Sequence, residues 1–151
     1  MFYRKIERKD ALVSCLLVIL QELKDAKEKF TKGELLYVEA TGYEGLKVRE
    51  LVNMLPPDYL RQIYLIYSTL WSINKSADVK NQAFISGISD NELKKFDNII
   101  KDYYKLGLHE IEPFIPLLED FIAERQKQSG FFFGVKRKTW LEVRNEIFFK
   151  K

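Results

Sequence analysis

The single histidine, His109, and the single cysteine, Cys15, are the residues of this 151-residue chain whose types could most directly do chemistry. Histidine is the usual general base and metal ligand near neutral pH. His109 stands in the stretch LGLHEIEP. A zinc-protease HExxH would need a second histidine four residues on, where the chain has Pro113. A ferritin-type Glu-x-x-His would need a glutamate where the chain has Leu106. Placed just past a helix that ends at Gly107, His109 reads instead as a cation that suits the negative end of that helix.

A thiolate nucleophile needs exposure and a lowered pKa. Cys15 sits in the apolar run ALVSCLLVIL, where free cysteine behaves as a small buried hydrophobe. No GxSxG, GxGxxG or GxxxxGK[ST] occurs. The acidic groups Glu22 with Asp25, Asp97 near Lys101, and Glu119 with Asp120 fit solvated helix faces. The sequence therefore offers no catalytic, cofactor-binding or metal-binding set, and the expectation is a non-enzyme without a cofactor.

The charge distribution points elsewhere. The net charge is +3, but residues 134–151 carry +4, residues 1–10 carry +2, and the body between them is −3. The segment 130–151, SGFFFGVKRKTWLEVRNEIFFKK with its preceding serine, joins aromatic Phe131, Phe132, Phe133 and Trp140 to basic Lys136, Arg137, Lys138 and Arg144. Thr139 and Glu142 fit a capping box opening a terminal helix through Ile147 and Phe148. A basic triplet just before a helix N-terminus opposes the macrodipole by a few tenths to about 1 kcal/mol, so its charge serves something other than that helix. Aromatic residues and arginine are what interfaces concentrate. The expected partner is another protein, met by Phe131, Phe132, Phe133, Lys136, Arg137, Lys138, Trp140 and Arg144. The alternatives are nucleic acid, tracked by bases and stacked on by aromatics, an anionic membrane surface, and a homo-oligomer. A helix-turn-helix over residues 46–71 is disfavoured, because YLRQIYLIYSTLW is too apolar to be a recognition helix.

The elements that would position these residues are helical. With 46% hydrophobic and 14% aromatic residues, the chain has the means to fold as one domain. Leu12, Leu16, Ile19, Leu23, Ala26 and Phe30 recur in steps of four and three, a helix stripe that Asp10 could cap. The apolar run is too short for a bilayer span and lacks a leader's cleavage site, so it reads as a buried helix of a cytoplasmic protein. Thr31 and Glu34 fit a capping box for a short helix Leu35–Thr41 ending at Gly42, although LLYVEA could equally be a strand. LKVRELVNML reads as a helix stopping before Pro56, and Pro57 as the first turn of the next. Residues 75–88 read as a loop with a helical turn. Ser89 and Glu92 form another capping box, opening a helix that ends at Gly107. Pro113 and Pro116 mark the start of the next helix, which Gly130 breaks. The fold class is all-α, an irregular single-domain bundle of five to seven helices over residues 1–151, with 130–151 as a semi-independent basic and aromatic end. Abundant Lys, Asn, Ile, Phe and Tyr, favoured by AT-rich codons, points to a low-GC bacterium or its phage.

Overall fold

The computed structural model describes residues 2–33 and 37–132. Those residues are all-α: α1 (Phe2–Lys32), α2 (Gly42–Val48), a 3-10 turn (Val52–Met54), α3 (Pro57–Ile85) and α4 (Asp90–Phe132). At 43 residues α4 is roughly 64 Å long, given the 1.5 Å rise per residue. It lies against both α1 and α3, while α2 packs on α1 and touches α3.

The stripe on α1 behaves as its spacing predicts. Leu12, Leu16, Ile19, Leu23, Ala26 and Phe30 are all buried, and Cys15 is buried with them. Opposite them lie Ile63, Ile66, Tyr67, Leu70 and Ile73 of α3 and Ile111, Phe114, Leu118 and Ile122 of α4, in one core. The helix begins well before Asp10, which is interior to α1 rather than its cap. Thr31 is interior too: its hydroxyl donates to the Lys27 carbonyl at 2.8 Å, one turn back. The capping box expected there does not form at Thr31, and Glu34 lies outside the described residues. α1 stops at Gly33, whose φ of 69° is the left-handed conformation glycine adopts without strain.

Gly42 opens α2 instead of closing a helix before it. Residues 37–41 belong to no helix or strand. The run LKVRELVNML splits, with α2 ending in a Schellman motif that has no glycine. Glu50 N–H donates to the Lys47 carbonyl at 3.1 Å and Leu51 N–H to the Leu46 carbonyl at 2.9 Å. Glu50 holds φ at 55°, and the buried Leu46 and Leu51 flank the turn as the motif's apolar pair. A non-glycine residue in this conformation costs about 1–2 kcal/mol. Glu50→Gly is therefore expected to stabilise the fold by about 1 kcal/mol, read as a shift in the urea midpoint without a change in slope.

α3 starts on Pro57 as expected, and it continues through residues 75–85, which had read as a loop. That stretch contains no glycine or proline to stop a helix, buries Ala83, and pairs Lys80 with Asp97 of α4. It ends at Gly87, φ 79°, with Ile88 N–H on the Ala83 carbonyl at 3.2 Å. Ser89 then caps α4, accepting the Glu92 N–H on its hydroxyl at 3.4 Å, as its spacing predicts.

The breaks expected at Gly107, before Pro113 and at Gly130 are absent, because α4 runs through all of them. A Cβ at Gly107 would fall 2.7 Å from the Phe30 ring, so the glycine lets α1 and α4 approach rather than ending a helix. That ring stacks on Tyr104 at 4.6 Å and has little room to retreat. Pro113 and Pro116 are exposed while their neighbours Phe114, Ile115 and Leu118 are buried. Their missing amides free the carbonyls of His109 and Glu112, and the buried face outweighs that loss. Among the described residues, no helix is long and apolar enough to cross a membrane.

Candidate functional site

Of the residues expected to meet a partner, Phe131 and Phe132 form the end of the α4 backbone. Phe133, Lys136, Arg137, Lys138, Trp140 and Arg144, with the capping box at Thr139, lie outside the described residues. His109 is interior to α4 and exposed, not at a helix end, so its expected role as a terminal cation does not hold.

The most concentrated polar chemistry centres on Glu22, which its sequence context places on a solvated helix face. Glu22 is 6% exposed. One carboxylate oxygen accepts from Thr41 N–H at 3.0 Å and the Thr41 hydroxyl at 2.7 Å. The other accepts from Gly42 N–H at 3.0 Å and the Tyr67 hydroxyl at 2.5 Å. Glu22 is thus a cap supplied by α1 to the first turn of α2, whose own Thr41 side chain makes no cap bond to that helix. Burial, with the Glu22 hydrogen bond added to it, drives the Tyr67 hydroxyl far above the ordinary phenol range, so it stays a donor. Gly42 fits because it has no side chain: a Cβ there would meet Ile19 at 2.6 Å and the Tyr67 oxygen at 2.8 Å. The signal was available, since Glu22 lies three residues after Ile19 and four before Ala26, on the buried stripe. Glu119, also read as a surface acid, is buried beside Leu118 and Ile122, with Lys24 at 3.9 Å.

The irregular residues 37–41 are held by side chains. Asn74 accepts the Val38 N–H at 3.0 Å and donates to the Val38 carbonyl at 2.9 Å. Trp71 Nε1 donates to the Ala40 carbonyl at 3.2 Å, and Lys29 Nζ to the Tyr37 carbonyl at 2.8 Å. The Tyr37 hydroxyl donates to Asp78. These groups are spent on fixing the chain to itself. No cluster of three or more His, Cys, Asp or Glu able to hold a metal occurs among the described residues.

A second polar pair joins α3 to α4. Thr69 donates to the Glu110 carboxylate at 3.0 Å, and Gln62 to the Glu110 carbonyl at 3.3 Å. Desolvation raises the Glu110 carboxyl above its ordinary value, against smaller lowering effects from Thr69 and His109. A carboxyl raised on folding binds its proton more tightly in the native state. Its ionisation therefore subtracts stability as pH climbs through the raised value, and protonation restores it below the unfolded one. The stability of the wild type relative to Glu110→Gln is expected to fall as pH increases across that acidic window, by urea titrations at matched pH.

The surface also holds an apolar groove of about 470 Å³ where the start of α3 meets the middle of α4. Pro56, Tyr59, Gln62, Pro113, Phe114 and Leu117 line it, with Asp58 at its rim. Tyr59 packs on Phe114 and Phe121 at ring distances of 5.9 and 5.1 Å, and the Arg125 guanidinium covers Phe121 at 4.9 Å. Leu117 stays half exposed. A smaller cleft of about 260 Å³ beside α2 is lined by Ser14, Cys15, Thr41 and Arg49. No family model matches the chain, and neither a curated protein nor a solved structure matches it.

Proposed function

We propose that this chain is a non-catalytic helical interaction module, an adaptor, inhibitor or regulatory subunit acting in the cytoplasm of a bacterium or its phage. The groove between α3 and α4 carries the reading: its aromatic floor and half-exposed Leu117 match the composition of interface centres. The buried carboxylate, by contrast, is filled with donors on both oxygens, which suits a structural clamp and not a base awaiting substrate. On this reading the whole chain is an irregular bundle of five to seven helices, and Phe131, Phe132, Phe133, Lys136, Arg137, Lys138, Trp140 and Arg144 contact the partner.

The test is affinity capture with the full chain and with a variant lacking residues 130–151, from nuclease-treated and untreated lysates. A protein captured by the full chain in both lysates and lost on truncation supports the reading, provided the truncated chain keeps its helical circular dichroism. An identical set of captured proteins for both chains overturns the site. Capture that disappears with nuclease overturns the partner class in favour of nucleic acid.

A further inference from the structure

We propose that the outer end of the α3–α4 hairpin, beyond the last turn of α1, is a docking shelf for an acidic amphipathic helix of a partner protein. In the body, Ile66 and Ile73 of α3 and Tyr104 and Ile111 of α4 share one core with α1. α1 stops short of the hairpin's end: its Phe30, one turn before Gly33, already lies against Tyr104 and Gly107. From Tyr104 back to Asp90, α4 runs on for roughly 20 Å at 1.5 Å per residue. Tyr37 reaches the α3 side of this projection at Asp78. Past Asp78 the described chain supplies only the two helices and their turn, joined by the Lys80–Asp97 ion pair. The core stripes continue there all the same. On α3, Ile66, Ile73, Ala77 and Phe84 follow at steps of seven, four and seven, with Ile85 beside them. On α4, Leu93, Phe96, Ile100 and Tyr104 follow at steps of three and four. Exposure rises from 0% at Ile66 and 1% at Ile73 to 68% at Phe84 and 83% at Ile85, while Leu93 and Phe96 are only partly buried. The uncovered strip prolongs the lane that α1 fills lower down, which is a seat for the apolar face of another helix.

The charge along its edge selects the occupant. Lys94, Lys101 and Lys105 directly follow Leu93, Ile100 and Tyr104, so they form a row flanking the apolar stripe of α4. It is the flank on which Glu119, directly after Leu118, meets Lys24 of α1. All three lysines are exposed, and none pairs with an acid among the described residues. Asp90, the free-standing acid on this side, belongs to the first turn of α4, where it complements the helix dipole. A helix with an apolar face and a flank of carboxylates therefore meets both the floor and the edge of the shelf. A second copy of the shelf would set one lysine row against another. A membrane would have to take in Asp90 and Glu92, which share the hairpin's tip with Phe84 and Ile85. The surface adds to the interaction reading on other residues than 130–151, so the truncation that tests that reading leaves this one standing.

The test titrates the full chain with two synthetic peptides and follows backbone amide shifts by NMR. Each is an alanine-based helix of about 14 residues, the length that spans the shelf, with leucines at i, i+3, i+4 and i+7. Glutamates flank the leucines in one peptide and lysines in the other. The expected result is shifts confined to residues 77–105, with the glutamate peptide bound roughly tenfold more tightly than the lysine peptide. Lys94→Glu with Lys101→Glu should reverse that preference. Lys75→Glu with Lys95→Glu makes the same change in net charge on the far side of the two helices and should leave it in place. Phe84→Ala, at an exposed position that the fold does not need, should weaken both peptides. Equal affinities, reversal by the far-side pair, or no shift at about 1 mM glutamate peptide overturns the proposal. So do the same shifts produced by raising the protein concentration alone, by phosphatidylserine–phosphatidylcholine vesicles or by oligothymidylate, because the occupant is then a second copy, a membrane or nucleic acid.

Discussion

Glu22→Gln is expected to destabilise the protein by about 3 kcal/mol, the cost of turning a fully satisfied buried acceptor into a group that is half donor. The side chain keeps its size, so the loss reports the exchange of a charged acceptor for a neutral amide and not a change in packing volume. Glutamine's oxygen can still accept from one pair of donors. Its amide nitrogen then faces the other pair, either Gly42 N–H and the Tyr67 hydroxyl or Thr41 N–H and the Thr41 hydroxyl. A hydroxyl can turn to accept, but a backbone N–H cannot, so in either orientation one amide at the start of α2 faces the new amide nitrogen and keeps only its longer, 3.2 Å bond to the remaining oxygen. Tyr67→Phe removes one donor and leaves the carboxylate three others, which sets its cost lower, at about 1–2 kcal/mol. Thr41→Val should lie lower still, since Thr41 is exposed. The order Glu22→Gln above Tyr67→Phe above Thr41→Val, from urea midpoints at pH 7, is the discriminating result. A Glu22→Gln loss under about 1 kcal/mol would mean the cap carries little of the fold's stability. A double-mutant cycle of Glu22→Gln with Tyr67→Phe should show coupling, because both changes act on one network.

How this carboxylate escaped a reading of the sequence shows where such reading stops. The α1 stripe was legible because burial of Leu12, Leu16, Ile19 and Leu23 follows from helical period alone. The Pro57 start and the Ser89 cap were legible because each depends on residues within one turn. Glu22 occupies a position on the same stripe, yet its acceptor role requires Thr41, Gly42 and Tyr67, which only tertiary packing brings together. Glycine and proline misled for a related reason. Gly42 and Gly107 are small because Ile19, Tyr67 and Phe30 press on them, which no local rule for helix ends contains. Pro113 and Pro116 sit on the solvent side of a helix whose other face is deeply buried, so packing overrides their local cost. Conversely, α2 ends where no glycine or proline announces it, at Glu50, because Leu46 and Leu51 can be buried together only if the chain turns there. The basic and aromatic residues 133–151, the most distinctive in the sequence, lie outside the described residues, and their role rests on charge and spacing.

Asn74→Ala is expected to cost about 2–3 kcal/mol, because it leaves two backbone groups of one buried residue without partners. Residues 37–41 form neither helix nor strand, so their amides and carbonyls must find partners one at a time. Val38 is 4% exposed, and Asn74 alone supplies the acceptor for its N–H and a donor for its carbonyl. An asparagine side chain presents one acceptor and one donor side by side, the same pair a neighbouring strand would offer, and this is why α3 can hold a segment that belongs to no helix or strand. Asn74→Asp isolates the donor. At neutral pH its carboxylate still accepts the Val38 N–H but faces the Val38 carbonyl with a lone pair, so the loss should approach that of alanine. A protonated carboxyl can both accept and donate, so the native state favours the proton and the aspartate titrates higher folded than unfolded. The added penalty is then present above the folded value and disappears as pH falls below it, which alanine cannot imitate. Stability measured against wild type at pH 7 and in mild acid separates the two variants. Amide exchange at Val38 should accelerate in Asn74→Ala well beyond what global destabilisation produces, since the segment loosens while α1 and α3 stay packed. Because the same segment delivers Thr41 and Gly42 to Glu22, the loosened strap should also weaken the cap on α2. If Asn74→Ala and Glu22→Gln prove additive in the double variant, the strap and the cap are independent fixtures; a combined loss smaller than the sum makes them one.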